Sequence, residues 1–219
     1  MKKQDENVLT KEEINNVLDK LYKLYPNAQC ELQYNTPFEL LISTILSAQC
    51  TDLTVNKVTR ELYEKYNTPE AMLTLTQEEL GEKIKSCGFY KMKSTNILNT
   101  CNILVTKYNS NVPEYREELM NLPGVGRKTA NVVISNAFGQ AAIAVDTHVF
   151  RVSNRIGLAN SENVNDTEKQ LMRNIPKKKW SDAHHWIIYH GRRVCKARKP
   201  LCEECTLIEK CVYYRKMTK

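Results

Sequence analysis

The stretch NLPGVGRKTANVV, residues 121–133, decides between two fold classes. Gly124 and Gly126 stand two apart, followed by Arg127, Lys128 and Thr129. A nucleotide-binding P-loop would need G-x-x-x-x-G-K-[ST] between a buried strand and a helix, and would make the chain α/β. Here Arg127 separates Gly126 from Lys128, and the preceding REELMNL reads as a charged helix. Both requirements fail.

What remains is helix, tight PGVG turn, helix. Pro123 stops the first helix, and the glycines reach backbone angles closed to other residues. Such a turn aims backbone N–H groups outward at the start of the helix near Arg127. Those donors and the positive end of the helix dipole form an anion site suited to a phosphodiester. A grip made by backbone alone carries no sequence preference. Taken by itself, a bare G-x-G turn reads first as a plain helix connector.

Helix signals recur along the whole chain. Thr10 with Glu13 and Thr76 with Glu79 form capping boxes, and Thr68-Pro69 is an N-cap followed by proline. EEINNVLDKLYKLY places Ile14, Val17, Leu18, Leu21 and Leu24 at helical spacing. Residues 37–50 are apolar nearly all round, as in a central buried helix. Gly88 and Gly139 stand where C-cap glycines close helices. AAIAV, residues 141–145, reads as buried extended chain leading to Asp146, an N-cap for THVFRVSNRIG. Helices are further expected at 93–108, at YREELMNL, at 127–138, and around 168–174 and 182–194. The expected fold class is all-α, with no repeat or long linker.

The net charge is +7, and residues 191–219 hold nine Lys/Arg against three Asp/Glu. That excess suits a polyanionic partner and equally a solvated face. No apolar run is long enough to span a bilayer, and the N-terminus lacks the apolar core of a secretory signal. A reducing compartment is therefore expected. Cys30, Cys50, Cys87 and Cys101 are scattered and read as small core residues. Cys195, Cys202, Cys205 and Cys211 fall together as C-x6-C-x2-C-x5-C, which in a reducing compartment favours a metal site over disulfides. Spacing alone leaves zinc and iron–sulfur level.

LPGVGRKTANVV resembles the helix-hairpin-helix of the endonuclease III family of DNA glycosylases, and AVDTHVFRV (residues 144–152) resembles that family's second signature. LSAQCTD (46–52) and CKARKPLC (195–202) extend the resemblance, in order, from about residue 37 to 211. It implies two helical domains with a DNA-binding cleft between them. One is a six-helix barrel carrying the hairpin, residues 30–140; the other is discontinuous, residues 1–29 and 141–219, and holds a [4Fe–4S] cluster on the four clustered cysteines. It implies a bifunctional glycosylase and apurinic/apyrimidinic lyase of base-excision repair, acting as a monomer on oxidised pyrimidines and abasic sites in duplex DNA. A bacterial cytoplasm is the expected setting.

The resemblance also assigns roles. Lys128 is the nucleophile that forms a Schiff base with the sugar; a lysine attacks only as the free amine, which a helix N-terminus and a desolvated cleft both favour. Asp146 is the carboxylate that assists proton transfer. Gln49 fills the gap left by an extruded nucleotide, and Phe89, where relatives often carry Leu, wedges between bases. Gly124, Val125, Gly126, Arg127, His148 and Lys199 complete the DNA contacts, with Lys196 and Arg198 beside Lys199. Two competing readings are a related glycosylase of other base selectivity and a non-catalytic DNA binder with a redox-sensing cluster. Neither Lys128 nor Asp146 is needed by a pure binder.

Overall fold

The computed structural model describes residues 7–218. The helices are α1 (Lys11–Leu24), α2 (Pro37–Leu46), α3 (Asp52–Tyr63), α4 (Pro69–Met72), α5 (Gln77–Lys83) and α6 (Tyr90–Tyr108). They continue with α7 (Arg116–Leu119), α8 (Arg127–Phe138), α9 (Thr147–Ile156), α10 (Val164–Asn174), α11 (Trp180–Arg193) and α12 (Val212–Met217). Among the described residues no strand forms, and the all-α class holds. No helix among them is long and apolar enough to cross a membrane.

The chain divides into two compact units: Cys30–Gln140, and the segment up to Gln29 together with Ala141 onward. In the first, α2 is buried from Phe38 to Leu46 and packs on α3, α6 and α8, while α6 also supports α4 and α5. Thr36 caps α2 and Pro37 opens it. Thr76 and Glu79 close the capping box that starts α5. A 3₁₀ turn at Lys85–Cys87 then carries the chain to Gly88, which is left-handed at φ 69°.

The second unit has its own core. Ile14, Val17, Leu18 and Leu21 of α1 meet Val149, Val152 and Ile156 of α9 and Ala183, Trp186 and Ile187 of α11. Each such fully buried aliphatic side chain contributes about 1.5–3 kcal/mol. Thr10 and Glu13 form the reciprocal cap of α1. Leu207 and Val212 join this core from the cysteine loop, so that loop is pinned to the same apolar centre.

Three expectations need correction, and one helix was not expected. The helix expected through Cys50 ends at Leu46, because the backbone turns left-handed at Gln49, φ 54°. YREELMNL forms only the single turn Arg116–Leu119. Cys87 and Cys101 are buried, but Cys30 and Cys50 are only partly so and are not core residues. Helix α12, whose start at Cys211 has no side-chain cap, carried no recognisable signal in the sequence.

Candidate functional site

In the unit Cys30–Gln140 the PGVG turn joins α7 to α8. Thr100 Oγ1 donates to Pro123 O at 3.0 Å, tying the turn to α6. Gly124 is left-handed at φ 78°, and a Cβ there would lie 3.2 Å from Asn96. Val125 is buried and its N–H donates to Leu122 O at 3.1 Å, so it packs the turn and offers no outward donor. Gly126 is the N-cap of α8; it has no side chain to accept from the first turn, and the space above it is open. The anion-binding geometry expected of the turn therefore falls to Gly126 and the first turn of α8.

The two glycines predict opposite outcomes. Gly124→Ala forces a side chain into a left-handed backbone against Asn96, costing about 1–2 kcal/mol. Gly126→Ala meets nothing and costs less than about 1 kcal/mol. Thermal denaturation of the two variants checks this; equal melting temperatures would contradict the role of Gly124.

Lys128 stands in the first turn of α8 and is exposed. Its charge therefore sits at the helix N-terminus and not in a buried pocket of its own unit. Asp52 and Lys128 both act electrostatically on Cys30, whose thiol is pushed up mainly by burial and further by Asp52, while Lys128 opposes. Asp52 of LSAQCTD and Lys128 of α8 thus both lie within electrostatic reach of Cys30.

Gln49 and Phe89 are both exposed and both left-handed, at φ 54° and 48°. Phe89 is 60 % exposed, which rules out an ordinary core role. Non-glycine residues at such angles are uncommon and cost energy that the surroundings must offset.

In the other unit Asp146 is the N-cap of α9: its Oδ1 accepts from Val149 N–H at 2.7 Å. Half-buried His148 has Nδ1 3.2 Å from Arg151 Nη2. Arginine only donates, so Nδ1 accepts and a neutral ring carries its proton on Nε2. Burial pushes the His148 pKa down and Arg151 and Arg192 add to this, while Asp146 pulls it up.

Cys195, Cys202, Cys205 and Cys211 line one pocket, with Ile156, His190 and Leu207 among its walls. All four are free. Among the described residues no three His, Cys, Asp or Glu are grouped to hold a metal ion. Burial pushes the Cys205 and Cys211 thiols up, and the neighbouring cysteines add to the effect. Four thiolates here would need compensating positive charge, which a bound metal centre supplies.

Two residues that the sequence reading missed shape this loop. Arg151 donates to Gly191 O at 3.0 Å and to Cys195 O at 3.1 Å. Arg155 donates to Lys196 O at 2.7 Å and Ala197 O at 3.1 Å, stacks on Tyr213, and lies 3.7 Å from Cys195 Sγ. Their i, i+4 spacing on α9, one turn past Asp146, was the available signal. Lys199 is exposed and left-handed at φ 51°, on the loop between the first two cysteines.

Residues 42–177 match the HhH-GPD superfamily, described as base excision DNA repair protein. Endonuclease III of Bacillus subtilis (strain 168) is 49 % identical over 205 residues, covering 93 % of this chain and 94 % of that protein. A solved non-covalent endonuclease III–DNA complex superposes with a TM-score of 0.92 at 52 % identity, covering 97 % of this chain and 100 % of that one. A trapped endonuclease III–DNA covalent intermediate, in an estranged-adenine complex, gives the same values: TM-score 0.92, 52 % identity, and coverage of 97 % and 100 %.

Proposed function

Because the chain belongs to the HhH-GPD superfamily of base excision DNA repair proteins, and within it to the endonuclease III family, we propose that Lys128 and Asp146 carry its chemistry and that the four clustered cysteines hold a [4Fe–4S] cluster. The enzyme is a bifunctional DNA glycosylase and apurinic/apyrimidinic lyase. The observation that carries the residue assignment is a lysine in the first turn of α8, directly after a glycine-rich helix start that offers backbone donors to a phosphate. Its substrates are oxidised pyrimidines and abasic sites in duplex DNA, which in a bacterium places it in the cytoplasm.

In this reading the free amine of Lys128 attacks C1′ of the extruded nucleotide. The bond from C1′ to the base breaks, and the base leaves with the electron pair and takes up a proton. The amine loses a proton, the C1′–O4′ bond breaks with its electron pair going to O4′, which takes up a proton, and a protonated imine links Lys128 to C1′. Removal of a C2′ proton then expels the 3′ phosphate oxygen, cutting the strand by β-elimination, and water releases the lysine. Asp146 assists these proton transfers and stabilises positive charge developing on the sugar. Gln49 fills the gap and Phe89 wedges the neighbouring step, both from exposed loop tips. Gly124 shapes the hairpin, Gly126 and Arg127 meet the backbone phosphates, and His148 and Lys199 add contacts of their own.

Four thiols gathered around one pocket, in a chain of the endonuclease III family, support an iron–sulfur cluster over a single zinc ion. Cys195, Cys202, Cys205 and Cys211 would hold it. When bound, the cluster supplies structural order and no hydrolytic step. Arg151 and Arg155 fix the carbonyls of the Cys195 loop, so that Lys196, Arg198 and Lys199 are presented from a set backbone.

Borohydride trapping on a duplex with an abasic site tests the lyase: a covalent protein–DNA adduct is expected, and its absence would sink the reading. Purified protein should be brown and carry four irons per chain; a colourless protein with stoichiometric zinc overturns the cluster. Cys202→Ser should lose the colour and weaken DNA binding. The log–log salt slope should shrink by about one for each phosphate that the loop no longer meets.

A further inference from the structure

Lys93, on the first turn of α6, is 2 % exposed. An ammonium has three hydrogens to donate and accepts none. Lys93 Nζ donates all three to backbone carbonyls: Leu46 O at 2.7 Å, Ala48 O at 2.8 Å and Cys87 O at 2.9 Å. Nothing is left over for a phosphate, so Lys93 is no DNA-contacting lysine. Leu46 O ends α2, where the last carbonyls lack helical partners and a positive charge is favourable. The ionisable groups that act on Lys93 are the thiols of Cys50 and Cys87.

The three acceptors belong to two loops. Leu46 and Ala48 lead into Gln49, and Cys87 leads through Gly88 into Phe89. Both tips, Gln49 and Phe89, are left-handed and exposed. Such backbones persist where the surroundings over-determine them, and one buried cation holds the approach to both. We propose that Lys93 is the positioning residue that fixes the gap-filling loop and the wedging loop at one separation before DNA arrives. The proposal rests on the assignment of Gln49 and Phe89 above. Two side chains that must enter one gap in a duplex gain from being set in advance, because ordering them on binding would subtract from affinity.

Lys93→Met keeps the stem and removes every donor. Amide exchange should accelerate in residues 47–51 and 88–90 while the other helices of the unit stay protected. Excision of a damaged pyrimidine from duplex DNA should fall roughly a hundredfold, as expected when a weakened support lets a site shift by about an ångström. β-Elimination at an abasic site in a single-stranded oligonucleotide needs no gap filling and should stay within about twofold. On a Gln49→Ala/Phe89→Ala background, Lys93→Met should add no more than about twofold.

A loss that multiplies in full on that background, an equal loss on single-stranded DNA, or unchanged duplex excision overturns the proposal. If Gln49→Ala/Phe89→Ala by itself leaves duplex excision intact, the loop assignment falls, and the proposal with it. Should Lys93→Met not fold, Lys93→Gln, whose amide keeps two donors, goes through the same measurements. Failure of both to fold would mean that Lys93 holds the whole unit and not the two loops.

Discussion

Lys128→Ala abolishes the borohydride-trapped adduct and lowers strand cleavage at an abasic site by on the order of a thousandfold or more. The loss is chemical because no other group is assigned to form the bond to C1′. Stability should not suffer. Lys128 is exposed in the first turn of α8, so its removal opens no cavity. It also relieves the positive end of the helix of a like charge, worth about 0.3–1 kcal/mol in favour of the variant. The measurement pairs trapping with a thermal melt. A variant that melts at or above the parent and forms no adduct supports the nucleophile; a variant that still forms the adduct assigns the chemistry elsewhere.

Asp146→Asn separates two roles that one carboxylate combines. Asn caps a helix about as well as Asp, so the bond from Val149 N–H survives and stability should hold within about 0.5 kcal/mol. The amide can neither take a proton at the ordinary pH of the reaction nor offer a full negative charge. Base excision should drop by about 10²–10⁴-fold. Asp146→Ala gives the complementary result, losing the same activity and about 1 kcal/mol of stability through the lost cap. Single-turnover excision and melting curves on both variants check this. Full activity in Asp146→Asn would leave Asp146 a helix cap and nothing more.

The helices were legible in the sequence where a local rule governs them. Thr10 with Glu13, Thr76 with Glu79 and Asp146 cap as their spacing predicts, and Gly88 and Gly139 close helices. The end of α2 was not legible, since no glycine or proline marks the departure at Gln49. That turn is imposed by tertiary contacts, among them the bonds from Lys93, which in YKMKSTN looks like one more surface lysine. Arg151 and Arg155 were missed for the same reason: their acceptors are backbone carbonyls some forty residues away along the chain. The four cysteines stood out by spacing, yet spacing did not choose between metals. Lys128 and Asp146 were identified by motif, and neither stands out by burial.

The core that joins α1 to α9 and α11 has a consequence for how the protein is made. Ile14, Val17, Leu18 and Leu21 leave the ribosome more than 160 residues ahead of their partners Trp186 and Ile187. Between them lies Cys30–Gln140, which is complete as a unit before those partners are made. At about 5–20 residues per second, the apolar face of α1 waits on the order of ten seconds for its partners. These contacts are far apart in sequence, and such contacts close slowly. The cysteine loop, anchored through Leu207 and Val212 to that same late-forming core, takes shape after it. A metal centre held by that loop would therefore be inserted into a protein whose other unit has already folded.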